Sequence, residues 1–341
     1  MRPIPMTDAL RPANASPLAG STRVWWAEFA GNHLNRNDKA PIGKGDPAAL
    51  PVENDPIHRI MSARRPDICG LTLDQPRIMG ILNVTPDSFS DGGLHDTLEA
   101  AVARADEMSK DADILDIGGE STRPGAREVP VEQEIARTAP VIRAIRAAGI
   151  TTPISIDTRK APVAEAALNA GADMVNDVTA LRFDTDMAAL VADRQVPVCL
   201  MHSVADPETM QDNARYADVL TEVYDHLATR IDTAAAAGIA LDKMIVDPGI
   251  GFGKTLEHNV ELLQKLSAFH GLGAPILLGA SRKRFIGTLA GIAQAGNRMA
   301  GSVAVALHAA AQGAHILRVH DTSETRQALS LWLALAHSDK G

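Results

Sequence analysis

Residues 245 to 254 read IVDPGIGFGK. The apolar run from Met244 to Val246 ends on Asp247, and Pro248 with Gly249, Gly251 and Gly253 then carries the chain through a turn of little side-chain bulk. An unbroken apolar run is how a parallel strand buried on both faces reads. Ligands in α/β folds gather where such strands end. A strand-end Asp more often caps the turn that follows it, so one carboxylate alone assigns no site.

The same grammar recurs along the chain. Apolar runs end in polar residues at Leu82 to Asn83, Ile114 to Asp116, Ile154 to Asp157, Met174 to Asn176, Val198 to His202, Ile276 to Ser281 and Ile316 to His320, which with Asp247 makes eight. Between them lie segments long enough for crossover helices. One carries Val163, Ala166, Ala167 and Ala170 at the i, i+3, i+4, i+7 spacing of a buried helical face. Eight such units predict a (β/α)8 TIM barrel over 77–341, with functional groups on the loops after the strands. An open doubly wound sheet fits less well, because Gly249, Gly251 and Gly253 give G-x-G-x-G in place of the dinucleotide fingerprint. The Gly-Lys-Thr at 253 to 255 is no phosphate loop either, since Pro248 stands where the first glycine belongs.

Composition narrows the class. A chain of 341 residues, 45% hydrophobic, holds a barrel of about 250 residues with an N-terminal remainder. A formal charge of -9 without a Lys/Arg-rich run argues against nucleic acid as a partner, so an anionic substrate requires a local basic cluster. Cys69 and Cys199 have neither metal-ligand nor redox spacing and read as reduced thiols. No apolar run approaches membrane-spanning length and the N-terminus shows no signal-like segment, so a cytoplasmic enzyme is expected. Residues 1–76 are proline-rich and lack a sustained helical period. A short strand within Ser21 to Ala30, carrying Trp25 and Trp26, suggests a small N-terminal extension packed on the barrel, with flexible ends.

The loops after the first two barrel strands are long and polar: TPDSFSDGG from Thr85 and GGESTRPGA from Gly118. Asn83 offers an amide oxygen suited to Mg²⁺, and Arg123 a cation for a loop acid or a substrate anion.

Taken together, NVTPDSFSDGG at 83 to 93, GGESTRPGA at 118 to 126, DPGIGFGK at 247 to 254, SRKRFIG at 281 to 287 and RVHD at 318 to 321 resemble the dihydropteroate synthase family of folate synthesis. Five motifs in the family order, over roughly three quarters of the chain, are far more specific than any one of them. The resemblance implies a barrel that joins 6-hydroxymethyl-7,8-dihydropterin diphosphate to p-aminobenzoate and releases diphosphate, with Mg²⁺ accompanying the diphosphate. It implies that Asp157, Asn176 and Asp247 contact the pterin, with Lys283 reaching its ring and Met201 and Phe252 packing on its faces. Asp157, Asp247, Lys283 and Arg318 are the expected catalytic set. Arg318, His320, Asn83 and Thr122 are expected on the diphosphate, and Asn83 on the metal. Phe89, Asp91, Thr122, Arg123 and Pro124 are assigned to loops closing over p-aminobenzoate, Asp91 pairing with Arg123, while Ser281 and Arg284 lie near its carboxylate.

The departures from the family pattern are Arg284, where many relatives carry Ser, and the MHSVADPETMQ segment at 201 to 211, which lacks the second Met and the Gly that relatives often have after the His. Small-molecule substrates and a homodimer through the late helices, including Ser302 to Ala311, complete the expectation. Competing readings are a pterin-binding methyltransferase-type barrel, a non-catalytic barrel serving as a partner protein, and, for the metal, a preformed site from Asp87, Asp91 and Glu120.

Overall fold

The computed structural model describes residues 2–7, 15–30, 56–84, 94–121, 126, 128–204 and 214–336. Three short strands come first, β1 (Arg2–Met6), β2 (Ser16–Pro17) and β3 (Trp25–Ala30), in an antiparallel sheet of order β1-β3-β2. Pro3 and Pro5 are tolerated because β1 pairs on one side only. Trp26 is fully buried with Leu18, Val24 and Met61, the last from the short helix α1 (Pro56–Ser62). The sheet is tied to the barrel by Ser267 Oγ, which donates to the Pro3 carbonyl at 2.8 Å. Arg65, buried nearby, donates to the His270 carbonyl at 2.9 Å.

Eight parallel strands follow: β4 (Arg77–Asn83), β5 (Ile114–Gly118), β6 (Ile154–Asp157), β7 (Met174–Asp177), β8 (Val198–Met201), β9 (Met244–Asp247), β10 (Leu277–Leu278) and β11 (Ile316–Val319). Each coincides with one of the apolar runs. Their order is β10-β11-β4-β5-β6-β7-β8-β9, and the ends meet where Val246 N–H donates to the Pro275 carbonyl at 2.9 Å. A barrel therefore closes around one interior. Met79, Ile114, Met174, Cys199, Ile245, Leu277 and Ile316 fill that interior.

The floor is plugged by Ile68 and Leu73, on either side of a tight turn at Cys69 and Gly70, both at positive φ. The outer layer packs helices on the other strand faces. In α4 (Ala161–Ala170) the residues Val163, Ala167 and Ala170 of the predicted face are buried, with Ala166 half-buried and Ala164 buried beside them. Gly171, left-handed at φ 113°, ends that helix and returns N–H bonds to the Ala167 and Leu168 carbonyls.

Candidate active site

Strand register sets the site. Asn83, Gly118, Asp157 and Asn176 are successive partners across β4 to β7, and Met201 is the partner of Asp247 across β8 and β9. One ring of strand ends thus delivers two carboxylates, two amides and a thioether to the mouth.

Arg318, on β11, reaches across the barrel beside the rim with its side chain 19% exposed. Its guanidinium turns inward, with Nε donating to Asp116 Oδ2 and Nη2 to Asp157 Oδ2, both at 2.6 Å. Asp116, fully buried in the middle of β5, was not among the expected site residues. It also accepts from Asn176 Nδ2 at 3.4 Å. Burial alone would lower the pKa of Arg318, but Asp116 and Asp157 more than reverse that and hold it above its ordinary value. For Asp157, burial raises the carboxyl, Arg318 pulls it back and Asp116 adds repulsion. The Oδ1 atoms of both Asp116 and Asp157 are buried and meet no donor among the described residues. Unpaired buried carboxylate oxygens are expensive, so this pair is poised for donors that arrive with a ligand.

Asp247 stands across the mouth, its Oδ1 accepting from Gly249 N–H at 2.7 Å. Burial raises its carboxyl, opposed first by Lys283. A side chain at Gly279 would approach both Asp247 and Arg318 to 3.7 Å, and glycine leaves that space open. Lys283 donates to the Ile250 carbonyl and sits 4.4 Å from the centre of the Phe252 ring, a cation–π contact. Burial of the ammonium end lowers Lys283 to about 8, with Asp247 opposing the shift.

Asn83 ends β4, half-buried. His320 lies against Ser281, its Nδ1 3.0 Å from the hydroxyl, while the neighbouring Asp321 pairs with Arg282. Arg318 and His320, expected together on diphosphate, have separate protein partners, two buried acids for the arginine and Ser281 for the histidine. Arg284 opens α8 (Arg284–Ala290) and is exposed. Phe89, Asp91, Thr122, Arg123 and Pro124, with Asp87 of the alternative metal site, lie outside the described residues.

Glu120, the third member of that alternative site, is already engaged. It accepts from Lys160 Nζ at 2.6 Å, from Arg159 Nε at 3.1 Å and from Val129 N–H at 2.7 Å. Lys160 also donates to Glu134 at 2.8 Å, completing a buried ionic network beneath the loop after β5. Its members are about forty residues apart in sequence at most, so no local motif announced it. Asp116 had a readable signal: a carboxylate inside a fully apolar strand requires a cation partner.

Comparison with known proteins agrees with this geometry. Residues 79–320 match the model of the family described as pterin binding enzyme. Dihydropteroate synthase from Escherichia coli strain K12 is 48% identical over 260 residues, covering 76% of this chain and 91% of that protein. The structure of Xanthomonas albilineans dihydropteroate synthase with 4-aminobenzoic acid superposes with a TM-score of 0.74 at 51% identity, covering 80% of this chain and 97% of the other. The same enzyme in complex with 7,8-dihydropteroate gives 0.72 at 48%, covering 80% and 98%. With the matched region spanning the whole barrel and its mouth, the chain belongs to the pterin-binding enzyme family, among the dihydropteroate synthases.

Proposed function

We propose that this chain joins 6-hydroxymethyl-7,8-dihydropterin diphosphate to p-aminobenzoate, giving 7,8-dihydropteroate and diphosphate. The observation that carries this reading is the pair of buried, donor-less carboxylate oxygens on Asp116 and Asp157, facing Asp247 and Lys283 across one mouth. A pterin offers an amino-pyrimidine edge rich in N–H donors and a carbonyl acceptor. Asp157, Asn176 and Asp247 take the donors and Lys283 supplies one to the ring, with Met201 and Phe252 on the ring faces. Relatives at 48% identity that are dihydropteroate synthases favour this reading over a methyltransferase-type or non-catalytic barrel.

The reaction breaks the bond between the pterin methylene carbon and the diphosphate oxygen, which leaves with the bonding electrons. The aryl amine nitrogen then forms the new bond to that carbon and releases a proton to water. Positive charge on the methylene is stabilised by the carboxylates of Asp157 and Asp247, and the weakly basic amine needs no general base. The second-substrate roles expected of Phe89, Asp91, Thr122, Arg123 and Pro124 belong to the same proposal and fall outside the described residues. Ser281 and the backbone near Arg284 receive its carboxylate, and His320 and Arg318 serve the diphosphate side.

Mg²⁺ bound with diphosphate would neutralise part of the leaving charge. Asn83 offers it one neutral oxygen. Among the described residues no group of three or more His, Cys, Asp or Glu converges as metal ligands, and Glu120 is held by Lys160. Such a donor set suits a cation that takes most of its ligands from phosphate and water. Calorimetric titration of Mg²⁺ into the ligand-free protein should show weak binding; tight stoichiometric binding would overturn this assignment.

A homodimer through the late helices is supported by Leu289, Met299, Leu331 and Leu335, exposed apolar residues on α8, on α9 (Met299–Ala311) and on α10 (Thr322–Leu335). Sedimentation velocity tests it. A cytoplasmic location is supported by two free thiols, and no helix of the described residues is long and apolar enough to cross a membrane. The deciding experiment for the activity is release of diphosphate from the pterin diphosphate. Release that requires p-aminobenzoate is expected; release independent of it, or none, would sink the reading.

A further inference from the structure

The loop after β9 has an unusual arrangement of carbonyl groups. Those of Gly249 and Phe252 accept from the ammonium of Lys254 at 2.9 and 3.0 Å, that of Ile250 accepts from Lys283, and that of Gly253 accepts from the Tyr216 hydroxyl at 3.0 Å. The loop therefore lies between two lysines. Lys283 is on the ligand side. Lys254 is on the protein side, 4% exposed, and reaches His202 Nδ1 at 2.9 Å as its third acceptor. With the His202 carbonyl at 3.5 Å as a fourth and longer contact, the three nearer acceptors account for all three protons of an ammonium. Burial, followed by Lys254, lowers the His202 imidazole far below its usual range, and burial likewise pushes Lys254 well below its own, with Asp247 opposing; with the ammonium donating, Nδ1 accepts and the His202 proton sits on Nε2.

This clamp fixes groups that the ligand would meet. Gly249, left-handed at φ 68°, has no room for a side chain: a Cβ would lie 2.0 Å from the His202 carbonyl oxygen. So tightly seated, its N–H is aimed at Asp247 Oδ1, and its carbonyl accepts both Lys254 and the Phe252 N–H, the latter at 3.1 Å. The Phe252 ring is thereby set under Lys283, and the Ile250 carbonyl is set against its ammonium.

We infer that Lys254 is the positioning residue of the pterin site, locking the 249–253 loop against His202 so that Lys283, Phe252 and Asp247 are presented together. The inference rests on the proposed pterin-binding reading. A buried lysine with only a structural role would, when replaced, lower stability and affinity without regard to Lys283. A positioning role makes the two lysines interdependent, because part of what Lys254 does is exerted through the Ile250 carbonyl and the Phe252 ring.

The test is a double-mutant cycle on affinity for 6-hydroxymethylpterin, measured by calorimetry with Lys254→Met, Lys283→Met and the double variant. Lys254→Met alone should weaken binding about 30-fold, the scale of about 2 kcal/mol for a lost buried charge-assisted network. In the Lys283→Met background its effect should shrink at least fivefold. At saturating pterin diphosphate, the KM for p-aminobenzoate should stay within about threefold of wild type. Equal losses in both backgrounds, or unchanged affinity in Lys254→Met, would overturn the inference. If Lys254→Met does not fold, Lys254→Gln, which keeps donors for at most two of the three acceptors, carries the same cycle with the same criteria. Failure of the wild-type protein to bind 6-hydroxymethylpterin would instead overturn the functional reading on which the inference rests.

Discussion

At the mouth of the barrel, Asp116 and Asp157 each keep one buried oxygen without a donor; at the floor, the buried polar groups are turned mostly to backbone atoms. There Arg65 donates to the carbonyls of Ile60, Ala63 and His270, and His315 Nδ1 accepts from Ile276 N–H at 2.9 Å. Unpaired atoms exist at the floor too, Nδ1 of His270, Oε1 of Gln312, Nε of Arg65, and Nε and Nη1 of Arg23 between β2 and β3 of the N-terminal sheet, but none of them is a carboxylate oxygen. A carboxylate oxygen costs far more to leave unpaired than a neutral imidazole nitrogen. The difference teaches that the mouth is organised for groups that arrive from outside and the floor for the protein itself. Asp177 sharpens the point from within the site's own strand ends: Thr179 and Leu181 satisfy its carboxylate with three hydrogen bonds of 2.7 to 2.8 Å, which leaves it a loop anchor.

The largest expected effect would come from taking the charge off the mouth. Asp247→Asn should lower turnover by about 10³-fold, or about 4 kcal/mol of transition-state stabilisation. Its thermal midpoint should stay level or rise, since a buried charge is removed. Turnover within tenfold of wild type, or a collapse of stability, would erase the distinction between the two ends.

The floor should answer in the opposite way. Trp26 is fully buried in the N-terminal cluster, and its indole N–H donates to Ser62 Oγ at 3.2 Å. Trp26→Ala should lower unfolding stability by about 3 kcal/mol through the lost side chain and the cavity left behind. Turnover per folded molecule should change less than twofold. A matching loss of turnover would mean that the N-terminal sheet takes part in the site.

Acid should separate the ends more finely. Burial lowers His270 to about 3, so between about pH 6.5 and pH 3 the unfolded chain binds a proton that the folded protein refuses. Stability carried by the neutral ring is therefore lost as pH falls through that window. His270→Gln keeps a donor for the Gln312 carbonyl and cannot titrate. At pH 5 wild type should have lost about 2 kcal/mol relative to this variant compared with pH 7.5. The mouth carboxyls titrate alike in both proteins, so the difference isolates the floor. A gap independent of pH would show that the ring is charged in the fold.

Much of this was legible in the sequence, for a physical reason. Parallel strands covered on both faces read as apolar runs, so all eight barrel strands were visible, with the polar ends Asp157, Asn176 and Asp247 among them. Groups that act across the barrel were not. Asp116 sits two residues inside its strand end and is explained only by Arg318, 202 residues away. Lys254 read as the remnant of a failed phosphate loop, because its acceptors are three backbone or ring atoms of the fold. The N-terminal sheet was half legible: Trp26 marked β3, whereas Pro3 and Pro5 disguised its edge partner.

The smallest predicted effect lies in Lys283, the one mouth cation whose charge is set near neutral pH. Its value of about 8, against an ordinary 10.5, comes first from burial and is only partly offset by Asp247. The pterin contact needs the protonated form, so affinity for 6-hydroxymethylpterin should be level below about pH 8 and fall about tenfold for each unit above it, about 1.4 kcal/mol per unit. Burial raises Asp157 to about 7 and shifts Asp247 in the same direction, so the slope is read above pH 8 and against Lys283→Gln, which keeps both carboxyls. Lys283→Gln should therefore bind more weakly at pH 7 and show a flat profile to pH 9.5. A wild-type profile that is flat as well would place the ammonium off the ligand and return it to the Ile250 carbonyl and the Phe252 ring, where it rests in the structure. In that case Lys283 would belong with the residues that hold the loop, and the line between ligand-facing and self-facing groups would run between Lys283 and Asp247.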